Sequence, residues 1–173
     1  MNMIRKIPTV VVIGGGHAGV EAAAAVARMG AKSILLTMQL ESIGQMSCNP
    51  SIGGIAKGHL VKELDVFGAV MPRAADATGI HFKVLNRSRG PAVRATRTQN
   101  DRSRYREYVR SSLEKINGLS LYQSTAEKLI IRNGRVVGVQ LQAGHELSCD
   151  AVIVAAGTFL DGKIYIGDKV YSA

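Results

Sequence analysis

The sequence predicts an α/β fold built on a parallel sheet, with a small additional β-meander. Three observations carry this expectation. The β-branched apolar run Thr9-Val10-Val11-Val12-Ile13 leads straight into a glycine cluster and an alanine-rich segment. A second apolar run, Ser33-Ile34-Leu35-Leu36-Thr37, completes a βαβ pattern within about 30 residues. A third, Ala151-Val152-Ile153-Val154-Ala155, ends in another turn of small residues, Ala156-Gly157-Thr158. Runs that are apolar throughout, rather than at alternate residues, mark strands buried on both faces, as parallel strands are.

The elements follow in chain order. The first strand covers 9–13. Alanine-rich 20–29 is a helix, and Gly30 supplies its stop. The second strand covers 33–37. Segment 41–58, rich in Gly, Ser, Asn and Pro, reads as a loop held near a ligand. Leu60, Val61, Leu64 and Phe67 have helical spacing, so 59–67 is a helix ended by Gly68. A further helix is expected over 71–78 with Gly79 as its stop, then a short strand over 80–85. Helix 100–116 places Tyr105, Val109, Leu113 and Ile116 on one face. Strands follow at 119–123, 126–132 and 136–141, the last two joined by the hairpin signal Asn133-Gly134. A short strand at 146–149 precedes the buried one at 151–155. The chain's last residues, 171–173, read as loop.

The glycines carry the first functional signal. Gly14-Gly15-Gly16-His17-Ala18-Gly19 contains G-x-G-x-x-G between a strand and a helix, the context in which the pattern binds a dinucleotide. Gly14 permits the tight turn, Gly16 lets the backbone approach a pyrophosphate, and Gly19 lets helix and strand pack closely. The helix N-terminus then offers free N–H groups and a partial positive charge to phosphates. The bland alternative is a glycine-rich turn without a ligand. Thr37 stands where an acidic residue usually takes the ribose, a weaker hydrogen-bonding group than a carboxylate.

Composition sets bounds. Hydrophobic residues make up 46% of the 173 positions, enough for one cored domain. No apolar run approaches the ~20 residues needed to span a bilayer. Arg5 and Lys6 ahead of a short apolar run mimic a leader, but no cleavage pattern follows. Cys48 and Cys149 are too few and too far apart for a disulfide framework. The expected compartment is the cytoplasm. The net charge of +9 points to an anionic ligand or partner. No His, Cys or Asp cluster has metal-ligand spacing, and His81 and His145 show no partner at such spacing.

The glycine pattern alone does not separate FAD from NAD. Segment 151–158 is similar to the second flavin signature of glutathione-reductase-like flavoproteins. That resemblance implies a Rossmann-like FAD-binding domain of the glutathione-reductase type. The late strand then closes the sheet beside the first one, and Ala156 and Gly157 leave room for the cofactor.

Segment 44–60, Gly-Gln-Met-Ser-Cys-Asn-Pro-Ser-Ile-Gly-Gly-Ile-Ala-Lys-Gly-His-Leu, follows the second strand, where ligands of open α/β sheets bind. Cys48 there, with Lys57 and His59 nearby in sequence, reads either as a low-pKa nucleophile or as an inert loop thiol. With Gly14–Gly19, Gly90-Pro91-Ala92-Val93-Arg94-Ala95-Thr96-Arg97 and the segment 157–164, this loop resembles the GidA/MnmG family. That family is the FAD-binding subunit of the enzyme that modifies the tRNA wobble uridine. The resemblance covers almost the whole chain, and Thr37 is ordinary for the family.

The resemblance implies that residues 1–173 are the N-terminal FAD-binding domain of a longer chain. Gly14, Gly15, Gly16, His17, Ala18 and Gly19 would hold the pyrophosphate, and Ala126 would lie by the adenine through its backbone. Cys48 would act in catalysis at the uracil ring. The family's reaction adds an aminomethyl or carboxymethylaminomethyl group at carbon 5 of the uridine, with FAD, NADH and a folate one-carbon donor. A partner GTPase and a homodimer are implied for the full-length protein. Two alternatives remain. One is the related folate-dependent tRNA uridine methyltransferase, which a different loop at 45–57 would mark. The other is a non-catalytic nucleotide- or RNA-binding module.

Residues 87–110 hold eight arginines (87, 89, 94, 97, 102, 104, 106 and 110) against Asp101 and Glu107, a net of +6. Arginine grips phosphates bidentately and stacks on bases, which suits RNA. The competing reading is a solvated helix face with structural ion pairs. Arg94 and Arg97, in a loop motif shared with the family, are assigned to the flavin or tRNA site, and Arg102 and Arg104 to the nucleic acid. Tyr108 is open to base stacking, whereas Tyr105 belongs to the apolar helix face.

Overall fold

The computed structural model describes residues 6–47, 49–158, 160 and 162–172. Strand β1 (Thr9–Ile13) is the second of four parallel strands. It pairs on one side with β2 (Lys32–Thr37) and on the other with β10 (Ala151–Val154). Strand β6 (Leu119–Gln123) extends the sheet beyond β2, so the order is β10-β1-β2-β6. Helix α1 (His17–Arg28) connects β1 to β2, and Gly30 ends it at φ +86°.

The continuous apolar character of the strands has a direct consequence. Consecutive side chains point to opposite faces, and here both faces are covered. Val12 and Leu35 enter a core with Val20, Ala23 and Ala24 of α1. Helix α3 (Val70–Thr78) and helix α4 (Arg102–Glu114) complete that layer. Val11 and Leu36 enter the other core with Val139, Leu141 and Cys149. The cover there is the meander β7 (Ala126–Arg132), β8 (Arg135–Leu141) and β9 (Glu146–Ser148). Each fully buried Val or Leu contributes roughly 1.5–3 kcal/mol.

Helix α4 follows its sequence pattern. Tyr105, Val109 and Leu113 are buried on one face. It starts two residues later than expected, because Asp101 is its N-cap: the carboxylate accepts from Ser103 N and Arg104 N, each at 3.0 Å. Asn100 instead ends strand β5 (Ala95–Asn100). Its amide donates to Ala75 O at 2.7 Å and Thr78 Oγ1 at 3.1 Å.

Several expectations are corrected. The loop over 41–58 contains a 3-10 turn at Leu40–Ser42, strand β3 (Ser51–Gly53) and the start of helix α2 (Lys57–Val66). A small antiparallel sheet, β3-β5-β4, is built from β3, β5 and β4 (Gly79–Leu85). Residues 95–100 escaped detection because Thr96, Arg97, Thr98 and Gln99 show no apolar alternation. The terminal stretch is a hairpin of β11 (Lys163–Ile166) and β12 (Lys169–Ser172) rather than loop. Helix α2 forms, yet Leu60, Leu64 and Phe67 are exposed. Its spacing reported the helix but not burial.

Candidate functional site

The carboxyl ends of β1, β2 and β10 meet at one place, and two glycine turns meet there with them. Gly14 has φ +111°, and a side chain on it would strike the Ala155 carbonyl. Ala155 N donates to Ile13 O at 2.8 Å and Gly14 N to Leu36 O at 2.8 Å, so the turn is tied to both neighbouring strands. Gly157 takes φ +66° in the turn after β10. Gly14–Gly19, Thr37, Ala156 and Gly157 are thereby gathered at the end of the sheet where open α/β folds take ligands.

The helix N-terminus at this point is open. Gly16 is the N-cap of α1, no side chain caps the helix, and no acid lies in its first turn. A side chain on Gly16 would find nothing within 4 Å, whereas one on Gly19 would strike the Gly14 carbonyl. The first helical bond runs from Val20 N to Gly16 O at 2.9 Å. The N–H groups of His17, Ala18 and Gly19 therefore have no acceptor within the helix. Such an end takes a phosphate. The residues thus fit a dinucleotide pyrophosphate.

Thr37 is buried, and its hydroxyl donates to Gln39 O at 3.4 Å. A side chain on Gly15 would meet that hydroxyl at 2.9 Å, which places Thr37 directly against the glycine loop. Ser124 N donates to Thr37 O at 2.9 Å, bringing the turn before β7 to the same end of the sheet. Ala126 opens β7, half-buried against the meander core.

The loop after β2 is clamped over the glycines. Gly44 N donates to Gly15 O at 2.9 Å, and Ile43 is buried. Gly44 has φ +69° and abuts Val109 of α4. Gly44 opens the distinctive segment 44–60, but no sequence signal marks this clamp, and Ile43 was not singled out. Cys48 lies outside the described residues. Around it in sequence, Ser51 gathers two cations: Lys57 Nζ donates to its carbonyl at 3.2 Å, and Arg97 Nη2 to its hydroxyl at 3.1 Å. Partial desolvation of its ammonium pulls Lys57 below its usual pKa.

His17 is the least expected member. Its ring lies 5.7 Å from that of Tyr105, tilted by 59°. Burial first, and the Lys57 charge second, pull its pKa down, which favours the neutral imidazole. Its Nε2 and the Tyr105 hydroxyl are buried with no hydrogen-bond partner among the described residues. Burial also raises the Tyr105 phenol, with Glu21 adding to the effect.

The arginines divide. Arg97 lies in β5, not in a loop, and Arg94 caps the 3-10 turn Pro91–Val93, with Nε donating to Arg89 O at 3.3 Å. Arg102 and Arg104 are exposed on the first turn of α4. Arg110 is structural, bonded to Glu114 at 2.9 Å and lying 3.8 Å from Glu41. Arg106 donates to Glu41 O at 3.4 Å. Among the described residues, no group of His, Cys, Asp and Glu is placed to hold a metal, and no helix is long and apolar enough to cross a membrane.

The sequence profile of a family described as glucose inhibited division protein A matches residues 9–173. The chain is similar to GidA of Aquifex aeolicus at 51% identity and a TM-score of 0.90, covering 96% of this chain and 28% of that one. A second crystal form of that protein gives 50% identity, a TM-score of 0.89, and 98% and 28% coverage. The GidA-related protein of Thermus thermophilus shares the fold at 23% identity and a TM-score of 0.66, over 95% of this chain and 60% of that one. So does PqsL of Pseudomonas aeruginosa, described as a probable FAD-dependent monooxygenase: 14% identity, TM-score 0.63, 87% and 43% coverage.

Proposed function

The chain belongs to the glucose-inhibited division protein A family, and from this we propose that it is the FAD-binding part of a tRNA-modifying flavoenzyme. It spans 28% of the length of the Aquifex relative. In this reading the whole enzyme adds an aminomethyl or carboxymethylaminomethyl group at carbon 5 of the wobble uridine. NADH and a folate one-carbon donor supply the reductant and the carbon, and the compartment is the cytoplasm. A partner GTPase and a second copy of the chain complete the assembly.

One observation carries the cofactor assignment: the uncapped start of α1 with open space above Gly16. When bound, FAD would supply the redox chemistry. The chain's own residues do the rest. The N–H groups of 17–19 hold the phosphates, and the absence of a Cβ at Gly14 keeps the two glycine turns in contact. Lys57 and Arg97, both bonded to Ser51, make that neighbouring region attractive to an RNA backbone. Cys48, nine residues before Lys57 in the sequence, is assigned the thiol's role at the uracil ring. Arg94, Arg97, Arg102 and Arg104 are assigned to tRNA.

Gly16→Val tests the cofactor site. The side chain has room in the protein alone, so circular dichroism should stay unchanged. Flavin absorbance at about stoichiometric FAD should disappear, because the β-branched side chain fills the approach to the phosphates. Retained FAD uptake would remove the loop from the site. In the full-length enzyme, Cys48→Ser should abolish tRNA modification and leave the flavin spectrum intact; undiminished modification removes the thiol from the mechanism.

A further inference from the structure

A cavity of about 390 Å³, lined by no residue of the glycine loop, lies between the end of α1, the start of α3 and the end of α4. Arg28, Arg73 and Lys115 line it, with Tyr108, Ser111 and Ser112; no acidic residue does. The Arg28 and Arg73 guanidinium groups both approach Gly68, lying 3.9 and 3.5 Å from where its Cβ would be. Like charges so placed repel each other. Among the described residues neither has an ion pair or a side-chain hydrogen bond, and the same holds for Lys115 and for the Ser111 and Tyr108 hydroxyls.

Helix ends explain only part of the cluster. Arg28 and Lys115 sit at the ends of α1 and α4, where a cation complements the macrodipole. Arg73 sits in the first turn of α3, at the positive end, where a cation is disfavoured. Three cations and the Tyr108 and Ser111 hydroxyls around one cavity, with no carboxylate lining it, fit an anion with several oxygens.

We propose that this cavity is a phosphate subsite for an RNA strand, distinct from the dinucleotide site. The RNA identity rests on the tRNA reading above. The stripe on α4 is what favours a polynucleotide: Arg104, Tyr108, Ser111 and Lys115 recur at spacings of four, three and four. They therefore share one helix face, about 16 Å long at 1.5 Å per residue. Exposed Arg104 stands at one end and the cavity at the other. A lone phosphate occupies only the cavity, whereas a strand engages the whole stripe.

The test uses the full-length flavoprotein and its Arg28→Gln/Arg73→Gln/Lys115→Gln variant, with flavin absorbance confirming the fold of each. Unmodified tRNA is titrated by fluorescence anisotropy over a range of KCl. The triple variant should bind at least about tenfold more weakly. Its plot of log affinity against log salt should flatten by about 2, from roughly 0.7 for each phosphate no longer neutralised. Arg73→Lys, which keeps the charge, should retain most of the affinity. Inorganic phosphate in a thermal melt separates the sources. If the triple variant loses a phosphate-induced Tm rise while its tRNA affinity and salt slope match wild type, the ligand is a small phosphate compound and the RNA assignment is overturned. Unchanged tRNA binding with no phosphate effect overturns the subsite and leaves the enzyme's function standing. A wild-type enzyme that does not bind tRNA at all overturns both.

Discussion

Gly16 and Gly19 stand three residues apart in one loop, yet they answer to different constraints. Gly19 is required by the protein itself, since any side chain would meet the Gly14 carbonyl; Gly16 faces only space. The strand–loop–helix pattern gives them different jobs, and the space around each agrees with that division. His17 shows the limit of local sequence. Its place in the loop was visible, but its contact with Tyr105 and its burial depend on α4, far along the chain. That burial predicts a pH dependence. Because the folded-state pKa is depressed, the unfolded chain binds more protons below 6.5. Its stabilising contribution is full above pH 6.5 and is lost as pH falls towards the folded-state pKa. Thermal melts between about pH 7.5 and 5.5 should show wild type losing more Tm than His17→Asn, and parallel losses would contradict the burial argument. A phosphate held at the loop should oppose the effect by favouring the imidazolium.

Among the helices, one carboxylate makes a long-range join. Glu21, on α1, accepts from Val70 N at 3.0 Å and Met71 N at 2.6 Å, capping α3 from 49 residues away. Glu21→Ala should destabilise the fold by about 1–3 kcal/mol, the cost of leaving buried N–H donors unpaired. Glu21→Gln, which keeps an acceptor, should cost less. Urea denaturation measures both, and equal losses would show that charge rather than hydrogen bonding sets the effect. No local pattern announced this cap, because its donor and acceptor are distant in the chain. By contrast, Tyr105, Val109 and Leu113 announced α4 clearly, because a face buried along one helix repeats every three or four residues. Strand β5 announced nothing: its partners β3 and β4 supply the hydrogen bonds that its own composition does not foretell.

Across the molecule, the parallel sheet separates two cores. Leu113 belongs to the helical layer and Leu141 to the meander layer, and both are fully buried. Leu113→Ala and Leu141→Ala should each cost about 2–5 kcal/mol. The double variant should lose their sum to within about 0.5 kcal/mol, as for sites without shared partners. Denaturant midpoints at constant m-value test this, and a larger coupling would mean that the sheet transmits strain between its faces.

Neighbouring residues alone specify the βαβ unit, the glycine loop, the core face of α4 and the Asn133-Gly134 hairpin. Each is written locally, through periodicity or backbone conformation. Three other features arise only once the chain has closed on itself: the Ala155–Gly157 turn abuts Gly14, Glu21 caps α3, and Arg28, Arg73 and Lys115 face one cavity. Those depend on which distant segments pack together, and packing is a property of the closed core rather than of any local stretch of chain.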